Sequence, residues 1–516
     1  MRTPPPSRRA ISAFIVLPLS LLLVATLTGA SASTPVGKRP KPSSTTPAPP
    51  NWVVAENARQ GTSSWRISPA AIKGITGYAN RTSANLGESV TLYVDTNAAS
   101  FRVEAYRLGY YGGLGGRLIW TSPSRTGVQQ PRKTVTAGTN MVEARWSPSI
   151  TFSMGSGWVQ GNYLFKLVSS AGGEFYVPFV LRDDSSTASL VLMHQVTTWL
   201  AYNTWGGYSL YKGPDGSFER RSRVASFDRP YGGRGANGML TSFPFVSFVE
   251  QAGMDVTYWT DIDLQMRSSL LSRHRALISL DHDEYWSREM RDNAMAARAE
   301  GLNIAFLGAN AIFRKIRFES SPLGAARRVV NYKLGPEDPL YGVNDPATTP
   351  NWRSDPVFEP ESVLLGAMYE CNPVHADMVI VDGSNWVFAG AGISDGEHIP
   401  LGVEDEYDSV HPPAPTPKNI QILANSPVTC GGQSDFAHMT YYTTRSNAGV
   451  LDVGSQGWVD LIRCGAPVPS DTCDPRAQRI TQNILNAFAA GPAGVAHPAQ
   501  SNLADFGITL RVPLDP

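Results

Sequence analysis

Three acids and a histidine stand side by side at Asp281, His282, Asp283 and Glu284, and two aromatic rings, Tyr285 and Trp286, follow at once. Carboxylates and an imidazole gathered in one turn can hold a cation or pass protons. On an extended segment His282 and Glu284, at alternate positions, point to the same face. A second cluster runs from His194 to Tyr211 and contains Trp199, Tyr202, Asn203 and Tyr208. A third is Asn310, followed by Arg314 and Arg317. Tyrosines near such a turn have a chemical use. A phenolate is a hard anionic oxygen donor, and a ferric ion lowers the phenol pKa from its reference of ~10 far enough to ionise it.

These clusters need elements to bring them together. The apolar run Ala276–Leu280 has the length and flanks of a buried strand. Ser287 can cap a helix whose apolar positions Met290, Ala294 and Ala297 face one way, with Gly301 as its left-handed stop. Strands are expected at 190–193, 256–259 and 302–307, with helices at 242–252, stopped by Gly253, and near 263–272. Strand, helix, strand repeated in this way predicts a parallel sheet with right-handed crossovers. All three clusters then fall after successive strands, at the carboxyl end where open α/β sheets bind ligands. Further strands are expected at 378–381, 386–389, 419–423 and 440–443. A last helix opens with Asp474 as cap and Pro475 at its first position, and closes at Gly491.

Upstream, residues 75–184 read as short alternating strands of a β-sandwich. The glycine-rich stretch Tyr106 to Arg117 lies among them. No helix follows it, so it is not a dinucleotide loop; it reads as a bulged strand-to-strand turn, with a ligand- or domain-contacting loop as the alternative. Residues 1–32 read as a cleaved signal peptide: Arg2, Arg8 and Arg9 precede a short apolar run, and Ala30-Ser31-Ala32 offers the cleavage site. Residues 33–74 form a Pro/Ser/Thr-rich linker and lead-in. The main α/β domain spans 185–495 and the tail 496–516. A secreted chain is expected, with no membrane span after signal cleavage.

The 44 basic and 44 acidic residues cancel, which gives no electrostatic pull toward nucleic acid. The four cysteines favour two disulfides in an exported chain. Of three allowed pairings, Cys464 with Cys473, closing a small Pro-rich loop, is preferred, which leaves Cys371 with Cys430. A cysteine nucleophile does not fit. The strand-to-helix turn holds Asp281 and His282, and the first cysteine is Cys371. Nor do Gly155-Ser-Gly157 and Gly454-Ser-Gln-Gly457 make a hydrolase elbow.

Tyr106-Arg-Leu-Gly-Tyr-Tyr-Gly-Gly, Ala201-Tyr-Asn, Gly206-Gly-Tyr-Ser-Leu-Tyr211, His282-Asp-Glu-Tyr-Trp-Ser287 and Gly308-Ala-Asn310 together resemble the large (beta) subunit of N,N-dimethylformamidase and its secreted bacterial relatives. The resemblance runs from about Ile75 to Gly491 and is strongest from Val191 to Arg317. It implies an immunoglobulin-like β-sandwich followed by an amidotransferase-like α/β domain with a mainly parallel sheet. It also implies a mononuclear ferric iron held by two tyrosines and a glutamate. Glu284 matches the glutamate within its motif, and Tyr202 one tyrosine. The second matches Tyr211, with Tyr231 in reserve. His282 and Asn310 match residues that line the site, and a further glutamate is similar to Glu404 or Glu406.

The implied activity is hydrolysis of an amide or related C–N bond in a small-molecule substrate, with His282, Asn310 and Glu404 or Glu406 in catalytic roles. Two departures stand out. The family's known enzyme has a separate small subunit and is not exported. A homo-oligomer is compatible with the sequence. The rival expectation is a non-catalytic cell-surface or polysaccharide-binding protein that uses the aromatic residues from Trp199 to Tyr211 as a stacking platform.

Overall fold

The apolar run Ala276–Leu280 is a fully buried strand inside a seven-stranded sheet. The sheet order is Val256–Thr260, Leu190–His194, Ala276–Leu280, Asn303–Leu307, Gly449–Asp452, Gln433–Thr443, Gln421–Cys430. The first five strands run parallel, and the last two are added antiparallel. Successive residues serve opposite faces, as the two-residue repeat of a strand requires. Leu190, Leu192 and Ile278 enter one apolar core, whereas Val191, Met193 and Leu277 enter the other. A sheet buried on both faces needs such continuous apolar strands, which is why they stand out in the sequence.

This computed structural model describes residues 51–465, 467 and 472–516. The expected signal peptide and residues 33–50 of the expected linker lie outside the described residues. From Asn51 onward the described residues form one compact unit of mixed α/β structure. Among the described residues no helix is long and apolar enough to cross a membrane.

Within 75–184 two sheets face each other. One has three strands, Ile75–Ala79, Ser89–Thr96 and Ile150–Ser153. The other is built around Glu174–Arg182, Gly161–Ser169, Ser100–Leu108 and Gly116–Thr121. Val90, Leu92, Val103, Phe165 and Val177 fill the space between. The glycine-rich stretch is the turn from Ser100–Leu108 to Gly116–Thr121. It also meets the α/β part: a Cβ at Gly109 would fall 2.2 Å from Glu250 Oε2, so a larger residue there would displace that carboxylate.

Helix Arg288–Ala299 is capped by Ser287, whose Oγ accepts from the Met290 amide at 3.0 Å, and Gly301 has φ 101°. Helix Asn237–Gln251 starts five residues earlier than expected and ends before Gly253 at φ 64°. The stretch at 263–272 divides into helix Asp261–Met266 and the 3₁₀ segment Ser268–Arg273.

The strand expected at 386–389 is a correction. Trp386–Phe388 is a 3₁₀ turn, fixed by the Asn385 side chain accepting from the Val387 amide at 3.2 Å. The strand expected at 378–381 is the end of a long strand, Met368–Val379, paired with His398–Ser409. The tail lies along the surface, with Val512–Leu514 pairing parallel to Pro415–Pro417. Both disulfides form as expected, Cys371–Cys430 and Cys464–Cys473.

Candidate metal centre

After Leu280 the chain leaves the sheet sharply. Asp281 sits in the left-handed region at φ 54°, and its carbonyl packs so close to Gly308 that any Cβ there would collide. A non-glycine residue at positive φ costs energy, and Asp is among the few that tolerate it. The turn is tied to helix Val196–Ala201, which follows strand Leu190–His194. Thr198 Oγ1 accepts from the Glu284 amide at 3.1 Å, and Thr197 Oγ1 donates to the Tyr285 carbonyl at 2.8 Å. Tyr285–Ser287 then pairs parallel with Arg314–Ser321 in a separate four-stranded sheet.

This anchoring puts the buried Glu284 carboxylate between two phenols. Tyr202 donates to Oε2 at 2.9 Å and Tyr211 donates to Oε1. Their rings are stacked, with centroids 4.6 Å apart. Burial, then the Glu284 charge, pushes both phenols above their usual range. Without a cation they stay protonated and point their protons at the carboxylate. Burial works against the Glu284 carboxylate, but Lys333, His282 and Arg314 offset it and hold the group below the usual range. Arg314 is the secure cation of the three, at 3.3 Å from Oε1. Burial, with Arg314 adding to it, drives the Lys333 ammonium well down. Lys333 Nζ lies 3.5 Å from the Tyr211 ring centroid and donates to the Tyr285 hydroxyl at 2.5 Å.

A second group adjoins the first. His282 Nε2 is 3.5 Å from Glu284 Oε2 and 3.2 Å from Glu406 Oε2. Burial lowers the imidazole pKa, but Glu406 and Glu284 raise it further, so the net shift is upward. Asn310 donates from Nδ2 to Glu406 Oε2 at 2.7 Å and contacts His282 Nε2 at 3.3 Å. Asn372 Nδ2 holds the other Glu406 oxygen at 2.9 Å. Asn310 is itself in the left-handed region, φ 59°, and its amide donates to Asp408 Oδ1 at 2.8 Å. Its Nδ2 is thus engaged on two neighbours, so its first task is to position Glu406 and His282.

The structure therefore brings together Tyr202, Tyr211, Glu284, His282, Asn310 and Glu406. It sets four expected residues apart. Glu404 stands on the rim beside His375 Nδ1 at 3.0 Å. Tyr231 lines the cleft above the centre, and neither oxygen of Glu284 accepts from it. Arg317 pairs with Asp338 at 2.6 Å. His194 is buried behind the site, its ring 5.7 Å from Trp199. Lys333, Asn372 and Asp408 carry no local sequence signal, because each reaches the site from a distant loop or strand. Among the described residues no cluster of three or more His, Cys, Asp or Glu side chains is placed to hold a metal. The candidate donor set depends on the two phenols, and three convergent oxygen donors suit a hard cation. A cleft of about 470 Å³ opens above them, walled by Trp199, Tyr202, Tyr231, Asp281, His282 and Glu404 among others.

A mixed α/β chain with an acid–imidazole–phenol centre at the carboxyl end of a mainly parallel sheet defines the class. The family model described as N,N-dimethylformamidase beta subunit-like, C-terminal, matches residues 102–471, and the chain belongs to that family. No curated protein matches the chain. Among solved structures, a cycloisomaltooligosaccharide glucanotransferase from Paenibacillus sp., complexed with cycloisomaltoheptaose, is 9% identical over 81% of each chain. Its TM-score is 0.16, too low to carry any argument.

Proposed function

We propose that the chain is an exported amide hydrolase whose centre takes one ferric ion on Tyr202, Tyr211 and Glu284. The observation that carries this is the convergence of both phenols on one buried carboxylate, with Tyr202 at 2.9 Å from Glu284 Oε2. When bound, the ion supplies Lewis acidity to the amide carbonyl.

The chain's own residues do the rest. His282 Nε2 lies between Glu284 and Glu406, so a proton taken there is balanced by both carboxylates and can be passed to the departing amine. Asn310 and Asn372 hold Glu406 for that exchange. Arg314 balances the Glu284 charge. To donate to a developing oxyanion, Asn310 would release its longer contact, the one to His282.

Two opposed sheets over 75–184 are read as an immunoglobulin-like sandwich, and the mainly parallel sheet as amidotransferase-like. Two disulfides are compatible with an oxidising, extracellular setting. The substrate is a small amide.

The test is elemental metal analysis with a visible spectrum of the purified chain, repeated on Tyr202→Phe and Glu284→Gln. Iron near one per chain with a phenolate charge-transfer band, lost in both variants, supports the assignment. A folded, colourless protein that takes up no iron when supplied with it would sink the idea. A polysaccharide-binding protein would instead keep its ligand affinity in Glu284→Gln. That rival is supported by the rings that reach the cleft, Trp199 and Tyr202. It is weakened by Trp205, which packs on Trp146 at 5.9 Å, and by Tyr211, whose hydroxyl is spent on Glu284.

A further inference from the structure

The cleft above the centre is walled by hydrogen-bond acceptors. Asp281, Glu404, Asp405 and Asp460 all reach it, and the one basic residue other than histidine in its wall is Arg463. Arg463 is spent on Asp460 at 2.6 Å, and Glu404 is met by His375 at 3.0 Å. Among the described residues Asp281 and Asp405 have no ion-pair partner. The four acids are close enough to feel one another. Burial raises the Asp460 carboxyl, and Glu404 and Asp405 raise it further; burial raises Asp281, and Asp460 adds to it.

A second observation is independent of charge. Gln195 is 1% exposed and forms part of the same wall, and its Oε1 has no partner. Its Nε2 donates to Ser242 Oγ at 3.3 Å, which leaves Oε1 buried and unpaired in a residue that lines the cleft. A buried acceptor left unpaired costs free energy until a donor arrives. Four features favour an anion instead: Arg463, the His282 imidazole, the unpaired Trp199 Nε1 and the first turn of helix Asn237–Gln251, which reaches the wall through Asn237 and Gly238. A helix N-terminus amounts to about half a positive charge. The four carboxylates carry the larger total charge.

We propose that the cleft selects substrates bearing a cationic N–H group, an ammonium or guanidinium, seated against Asp281 and Gln195 Oε1 while the reacting amide lies at Tyr202 and His282. Trp199 and Tyr231 add aromatic walls suited to a cation. The amide part of this assignment rests on the proposed hydrolysis; the charge selection does not.

Three matched probes test it by calorimetry on the full chain: N-(4-aminobutyl)acetamide, its neutral counterpart N-pentylacetamide, and the anion 4-acetamidobutanoate. The cation is expected to bind about five- to tenfold more tightly than the neutral probe, with the anion weakest. The preference should shrink in about 0.5 M salt. It should also fall away in Asp281→Asn, which keeps the left-handed backbone, and weaken in Asp460→Asn at the rim. Equal affinity, a preference for the neutral or anionic probe, or binding of none of the three overturns the proposal. Cation preference without hydrolysis by the iron-loaded protein would sink the hydrolase assignment and leave charge selection standing. Hydrolysis of the cationic and neutral probes at equal kcat/KM would do the reverse.

Discussion

Glu250 is the buried hub that fastens helix Asn237–Gln251 to strand Ser100–Leu108. Its carboxylate receives four donors. Arg107 Nη2 and the Tyr258 hydroxyl reach Oε1, each at 2.5 Å, while Arg107 Nη1 at 3.1 Å and Asn57 Nδ2 at 2.9 Å reach Oε2. Both members of the ion pair are 0% exposed. Glu250→Ala therefore strands a guanidinium in a dry interior, which costs about 3–5 kcal/mol. A surface pair would cost about 1 kcal/mol or less. The size of the effect comes from the uncompensated charge, so removing both charges should restore much of it. Arg107→Met combined with Glu250→Leu should lie within about 2 kcal/mol of the parent, short of neutral because Tyr258 and Asn57 also lose their acceptor. The assay is equilibrium urea unfolding followed by tryptophan fluorescence and far-UV circular dichroism, which must give coincident transitions for the free energies to be compared. A single variant costing under about 1 kcal/mol, or a double variant as costly as the single, would refute the reasoning. The consequence reaches the cleft, since the same helix carries Asn237, Gly238 and Thr241 into its wall.

Glu370, 22% exposed and 3.3 Å from His411, is pushed up to about 7 by burial. Because its folded pKa exceeds the unfolded value of 4.5, the protonated form belongs to the fold. Stability from this group is fully present below about 4.5 and lost as pH rises through about 7, up to about 3 kcal/mol in all. Glu370→Gln should thus stabilise the protein at pH 8 and change little at pH 4, read from urea midpoints; equal shifts at both would contradict this. Removing the Cys371–Cys430 disulfide, which spans 59 residues, should cost about 4 kcal/mol on the chain-entropy model. It should also free Asn372 from Glu406, so turnover should fall in Cys371→Ser/Cys430→Ser without loss of metal; metal loss in the folded variant would place the disulfide in support of the ligands instead. At Asn310, φ 59°, the Ala variant should be less stable than the Gly variant by about 1–2 kcal/mol. Equal stabilities in the same unfolding assay would show that the left-handed backbone there is not a constraint.

What the sequence made legible was local. The strand Ala276–Leu280, the Ser287 cap and the Gly301 stop each depend on neighbours within one turn, and each appears where periodicity and capping place it. The 386–389 segment misled for the same reason. Trp386, Val387 and Phe388 read as an apolar strand, but the Asn385 side chain closes a turn on Val387, and the Trp386 ring stacks on His497 at 4.6 Å, far along the chain. At the centre, Tyr202 and Glu284 could be named from their motifs, yet nothing local separates Tyr211 from Tyr231. Only the folded chain separates them, with Tyr211 donating to Glu284 and Tyr231 in the cleft wall.

Glu404 and Glu406 make the limit sharpest. Two residues apart on a regular strand, they would share a face, and a sequence gives no ground to prefer one. Here Asp405 takes φ 64°, and the register against the partner strand slips between Cys371 and Val374. The irregularity parts the two acids: Glu404 turns outward to His375, and Glu406 turns in to meet His282, Asn310 and Asn372. Bulges of this kind gather next to active sites because they re-aim a side chain. Left-handed backbone also recurs at Asp281, Asn310 and Lys333, so four of the twelve non-glycine positions of this kind among the described residues flank the centre. Strain of that kind persists only where the surroundings enforce it. At this centre the left-handed residues aim side chains: Asp405 parts Glu404 from Glu406, and Asn310 brings its amide to Glu406 and His282.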